Sequence, residues 1–100
     1  MAIVLYVRVS SNVDKEELER RVEERRHNFL EVPGLIQKIY GRDPETGDWC
    51  GIYFFKDKES LAAFRDSELA QTIPVAYEAT DVRREIYEVQ FPLYPERGPV

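Results

Sequence analysis

Residues 31–64, EVPGLIQKIYGRDPETGDWCGIYFFKDKESLAAF, read as a helix end, a strand, a tight turn, a second strand rich in aromatics, and the start of another helix. Val32-Pro33-Gly34 stops whatever precedes it, because proline has no amide proton to continue a helix and glycine accepts the positive φ of a helix C-cap. The two strands, Leu35 to Arg42 and Asp48 to Phe55, are joined by Asp43-Pro44-Glu45-Thr46-Gly47. Pro44 presets φ for a type I turn, Asp43 bonds back to the turn amides, and Gly47 supplies a left-handed residue that returns the chain in register. Bulky groups stand at both parities of Trp49-Cys50-Gly51-Ile52-Tyr53-Phe54-Phe55, which a sheet with one wet face would not carry. The reading therefore requires a cover on each side of this hairpin.

N-terminal to it, Ile3 to Val9 is a β-branched run with Ile3, Leu5, Val7 and Val9 on one face and Val4, Tyr6 and Arg8 on the other. Ser10 to Asp14 offers N-cap side chains, and Asp14, Glu16 and Glu17 suit the positive end of a helix running to about Leu30. Glu16–Arg20 and Glu17–Arg21 are i,i+4 pairs in the favourable order on its wet face. Leu18, Val22 and Phe29 mark the apolar stripe, with Leu30 to one side, and Arg25 falls inside that arc. Two readings of Arg25 stand side by side: a side chain snorkelling from the edge of a narrow stripe, or a cation at a cavity wall facing an anionic ligand. His27, the one histidine, lies opposite Leu18 on the wheel and faces water.

C-terminal to the hairpin, Asp57 caps a second helix, Lys58 to about Asp66, with Leu61 and Phe64 inward and Ala62 and Ala63 allowing close approach to the sheet. Leu69 to Ile73 makes one further turn that Pro74 ends, and Val82 to Phe91 is the last strand. Residues 1–95 then make one domain, and 96–100 a flexible tail.

The formal charge of -5, from 14 basic and 19 acidic residues, leaves no electrostatic footprint for phosphate backbones, so nucleic acid is not an expected partner. Cys50 is the only cysteine and reads as a small buried hydrophobe, with no intrachain disulfide possible. The apolar start, broken at Arg8, is too short for a signal peptide or a membrane span, and a cytoplasmic location without membrane partners is the expectation.

The order β-α-β-β-α-β specifies an α+β, ferredoxin-like split β-α-β fold: one four-stranded antiparallel sheet with two helices on one face. The uncovered face would present apolar residues of the first and third strands to solvent, and a second copy packed sheet to sheet is the simplest cover. A homodimer is the expectation.

Motifs of standard chemistry are missing: no Gly-rich phosphate loop, GxSxG elbow or HExxH occurs, and one histidine cannot make a His-based metal triad. What stands out is the set Tyr6, Tyr40, Trp49, Tyr53, Tyr77, Tyr87 and Tyr94, rings with polar tips that suit either a core or an apolar pocket with a few donors. Tyr53 is the leading pocket candidate, since its parity is shared with Phe55 beneath helix two; Arg25, Tyr6, Phe29, Phe64 and Trp49 complete the candidate set.

Val32-Pro33-Gly34-Leu35, the polar hairpin, Gly51-Ile52-Tyr53-Phe54-Phe55, Asp57 and Ser60-Leu61-Ala62-Ala63-Phe64 resemble the YdhR-like mono-oxygenases, within the antibiotic-biosynthesis monooxygenase group. The resemblance spans roughly Ile3 to Leu93. It implies a dimeric α+β barrel with a pocket between sheet and helices, and oxidation of a small aromatic or polyphenolic molecule by molecular oxygen with neither metal nor flavin. In that setting Arg25 would stabilise a phenolate or enolate while Tyr6 and Tyr53 orient its ring. Isomerase or cyclase chemistry also occurs on related barrels. A dimer that binds a small aromatic without turnover, and a scaffold whose cavity is filled by its own side chains, are the other readings. Haem-degrading relatives use a histidine on iron, and His27 lies on the wrong helix face for it.

Overall fold

Alternating apolar residues in β1 (Ile3–Ser11) bury Ile3, Leu5, Val7 and Val9, while Val4, Tyr6 and Arg8 lie half-buried on the other side. In the computed structural model, which describes residues 1–99, this strand lies at the centre of a four-stranded antiparallel sheet. Its neighbours are β3 (Trp49–Phe55) and β4 (Ala79–Glu88), and β2 (Leu35–Arg42) sits outside β3, giving the order β2-β3-β1-β4. The main helices, α1 (Lys15–Arg25) and α2 (Lys58–Arg65), lie on one face. They contribute Leu18, Val22, Leu61 and Phe64 to a core completed by Tyr53, Phe55, Phe29, Ile73 and Tyr77. This is the α+β, split β-α-β arrangement that the element order specifies.

The hairpin forms as read. Gly47 has φ +81° and its amide bonds the Asp43 carbonyl at 2.9 Å, while the Asp43 side chain accepts from the Glu45 amide at 2.8 Å. Arg8 holds the turn down: its guanidinium reaches Asp43 at 2.8 Å and Asp48 at 2.9 Å. The Arg8 hydrogen bond, followed by the Glu45 and Thr46 amides, keeps the Asp43 carboxyl at about 2, below the usual range. Gly34 has φ +77°, and a Cβ there would run into the Ser60 side chain on α2, so glycine serves both the turn and the close approach of helix to sheet.

Several boundaries differ from the sequence reading. The first helix ends at Arg25, and Arg26–Phe29 wind as a 3-10 turn that puts Phe29 in the core and leaves Leu30 82% exposed. Ala62 and Ala63 face solvent rather than the sheet; Gly34 provides the close approach instead. The connection after α2 is two short helices, α3 (Glu68–Gln71) and α4 (Ile73–Ala76), with Pro74 in the first turn of the second. That proline starts a helix rather than ending one, because its missing amide proton is not needed there. The last strand begins three residues earlier than Val82 and ends at Glu88 instead of Phe91. Its partner dictates this: Ile3 pairs with Glu88, and one further bond, Val89 to Ala2 at 2.9 Å, exhausts β1, leaving Phe91 exposed. Of the tail over 96–100, Val100 lies outside the described residues, and Pro95–Arg97 form a 3-10 turn. Cys50 is half-buried beside Gly41 rather than in the core. Among the described residues no helix is long and apolar enough to cross a membrane.

Candidate functional site

The strands' parity and register place the site. Counting back from the turn, Arg42 faces Trp49, Tyr40 faces Gly51 and Lys38 faces Tyr53, so Lys38, Tyr40 and Arg42 of β2 stand on the helix-covered side. Gly51 has no side chain, and the Tyr53 ring and Lys38 stem pack over it, 2.9 and 3.1 Å from where a Cβ would stand; beside them lies a narrow recess of about 30 Å³, which shares Phe29, Lys38 and Tyr40 with a wider groove of about 230 Å³ along β2. The walls are aromatic: Phe29, Tyr40, Trp49, Tyr53 and Tyr77, closed behind by Val22 and Ile73, with Lys38 at the rim.

Of the six residues singled out from sequence, Phe29, Trp49 and Tyr53 line the recess. Phe64 stands one layer behind, its ring 5.1 Å from that of Tyr53 and 6.3 Å from that of Phe29. Arg25 adjoins the site through Tyr77, with its guanidinium carbon 5.6 Å from that ring centroid. Its Nη2 reaches the Leu69 carbonyl and the Thr72 hydroxyl only at 3.4 Å each, and its buried Nε has no partner. Tyr6 is a correction: it shares the open face with Val4 and Arg8, pairs with Ile52 and Glu85, and belongs to the wrong side of the sheet to orient anything in the recess. His27 is exposed, as its wheel position implies.

Lys38 escaped the sequence reading. Its Nζ lies 3.3 Å from the ring centroid of Phe29, 4.2 Å from that of Tyr40 and 4.4 Å from that of Tyr53. A strand lysine ordinarily reads as solvated surface; the available signal was its parity with Tyr40 and its place opposite Tyr53 once the turn was known. Burial, joined by the charge of Arg25, pushes its ammonium down to about 7. Burial also pushes the Tyr40 phenol up to about 12 and raises those of Tyr53 and Tyr77, although Arg25 opposes the shift in all three. The tyrosines therefore stay protonated at neutral pH. The buried Tyr40 hydroxyl has no hydrogen-bond partner.

An aromatic slot with two unpaired buried polar groups beside it suits a flat ligand carrying an oxygen that accepts hydrogen bonds, since such groups are costly to leave unmade.

The sequence profile of the family described as "Putative mono-oxygenase ydhR" matches residues 4–94. No curated protein matches the sequence. Among solved structures, SnoaB from Streptomyces nogalater, a cofactor-independent oxygenase, superposes with a TM-score of 0.75 at 12% identity, covering 92% of this chain and 96% of that one. A putative antibiotic biosynthesis monooxygenase from Deinococcus radiodurans gives 0.74 at 11% identity, over 94% and 97% of the two chains. A conserved protein from Methanosarcina mazei gives 0.71 at 20% identity, over 87% and 91%. At these identities the likeness speaks for the fold alone.

Proposed function

The chain belongs to the family described as putative mono-oxygenase YdhR, and from that premise we propose that it oxidises a small phenolic or polyphenolic molecule with molecular oxygen, without metal or flavin, in the recess beneath α1. The observation that carries the reading is the pairing of aromatic walls with the unsatisfied Tyr40 hydroxyl and Arg25 Nε. A phenolic ring seats against Phe29 and Tyr40, where the recess shares its lining with the groove of about 230 Å³, and its oxygen supplies the acceptor that the Tyr40 hydroxyl lacks. The bound anion passes one electron to oxygen, the resulting radical and superoxide combine into a carbon-bound peroxide, and its O–O bond then breaks as that carbon loses its proton, leaving a carbonyl and water. A guanidinium beside a low-dielectric slot favours the anion that begins this sequence.

The second copy belongs to the same proposal. On the open face Val4, Tyr6, Ile52 and Phe54 are only half-buried, and Ile39 and Tyr87 are 45% and 55% exposed. We infer that the sheet of another protomer covers them.

Oxygen uptake with anthrone- and quinol-type compounds tests the chemistry. The wild-type protein is expected to consume oxygen well above buffer, and Arg25→Ala to lose about tenfold or more of that rate, the scale of removing one donor to a developing anion. A rate equal to buffer across the panel, an unchanged rate in Arg25→Ala, or ligand-induced melting shifts without oxygen uptake would each contradict the reading. The last outcome would mark a protein that binds its ligand without turning it over.

A further inference from the structure

Lys38 is the polar group of the recess that the scheme above leaves without a task. Its amine stands in a cage of three rings, Phe29, Tyr40 and Tyr53, at the rim of the slot, and no carboxylate pairs with it among the described residues. The groups around it are Arg25 at the end of α1, Arg26 in the turn that follows, whose charge is met by Glu23 at 3.3 Å, Tyr40 beside it on β2, Tyr53 on β3 and Tyr77 after α4. A lysine placed among apolar walls and near another cation is the arrangement in which an amine gives up its proton most readily.

We propose that Lys38 is the base of this site, its ε-amine taking the proton from an acidic phenol held in the recess and its aromatic cage then holding the ammonium that results. This rests on the reading that the recess takes a phenol. The transfer balances by itself: the amine lone pair forms the new N–H bond, the O–H bond breaks, and its electron pair stays on the phenolate oxygen. The product is an ammonium over three ring faces, which cation–π attraction favours, beside the phenolate it has made. The same physics names the substrate class. Proton transfer is effective when the proton affinities of base and substrate are close. An amine held near 7 cannot readily deprotonate a phenol of ordinary acidity, about 10. It is matched to phenols acidified by a conjugated electron-withdrawing group such as a carbonyl or nitro substituent, and to comparably acidic enols.

4-Nitrophenol, whose anion is yellow and whose neutral form is not, tests this without any turnover. At a pH near 7, where a substantial share of Lys38 is free amine, the wild-type protein is expected to raise the yellow fraction of the bound compound well above that of the free compound. Lys38→Met and Lys38→Gln are expected to bind it as the neutral form, or at least about tenfold more weakly. A bound compound that stays neutral on the wild-type protein, an equal yellow signal in both variants, or no binding at millimolar concentration would overturn the assignment. The wild-type spectrum decides even where a variant folds poorly. The yellow signal without oxygen uptake from any phenol would leave Lys38 as a base and remove the oxygenase; oxygen uptake with a neutral bound phenol would do the reverse.

Discussion

Phe55→Ala is expected to cost about 3–5 kcal/mol of folding stability, the range for emptying a phenylalanine site in a packed core. Phe55 is 0% exposed and pairs with Ile3 of β1 on one side and Leu35 of β2 on the other, so the void would open beneath an inner strand, at the end of the sheet where β1 and β2 begin. Its ring is stacked on that of Tyr53, at 6.1 Å and 6° between planes, and tilted on that of Phe64 at 5.5 Å. None of these neighbours fills the space without leaving its own rotamer. Domains of this size hold roughly 5–15 kcal/mol in total, so the variant would sit close to its threshold. Urea unfolding monitored by circular dichroism measures it, with a lower midpoint at an unchanged slope as the expected result. Ile86→Ala, at a residue 48% exposed, is the matched control and should stay within about 0.5 kcal/mol.

The second large effect concerns assembly. Ile52 occupies the middle of the open face, between Tyr6 on β1 and Ile39 on β2. If another sheet packs there, Ile52→Asp places an unpaired carboxylate inside an apolar layer, a penalty of several kcal/mol per protomer. Sedimentation at micromolar concentration is expected to give twice the 11.8 kDa chain mass for the wild type and the single chain for the variant. A wild-type protein that sediments as one chain would contradict the proposed pairing and leave the recess untouched, because the two lie on opposite faces of the sheet.

The parts legible in the sequence were those decided locally. Pro33-Gly34, the Asp43–Gly47 turn and the Asp57 cap act within a few residues of themselves, and the structure keeps all three: Gly34 and Gly47 at positive φ, and Asp57 accepting from the Ser60 amide at 2.8 Å. The parts misread were decided by partners far along the chain. Where β4 stops depends on where β1 begins, which no feature of Val89-Gln90-Phe91 announces. Tyr6 was grouped with Tyr53 by residue type, although the alternation along Ile3–Val9 already sets it on the opposite side from Leu5, which pairs with Tyr53. Lys38 was passed over because a charged residue between Gln37 and Ile39 looks like an exposed strand position. Its burial comes from Phe29, brought over it by the 3-10 turn that ends the first helix.

The amine of Lys38 sits desolvated among aromatic rings, and carbon-13 NMR of the lysine ε-positions reads this directly as pH is raised. Of the four lysines, the resonance belonging to Lys38 is expected to titrate near 7. The early resonance should vanish in Lys38→Met. A Lys38 resonance that titrates at the ordinary lysine value of about 10.5 would mean a solvated amine, and the site would lose its base and the basis for its choice of substrate.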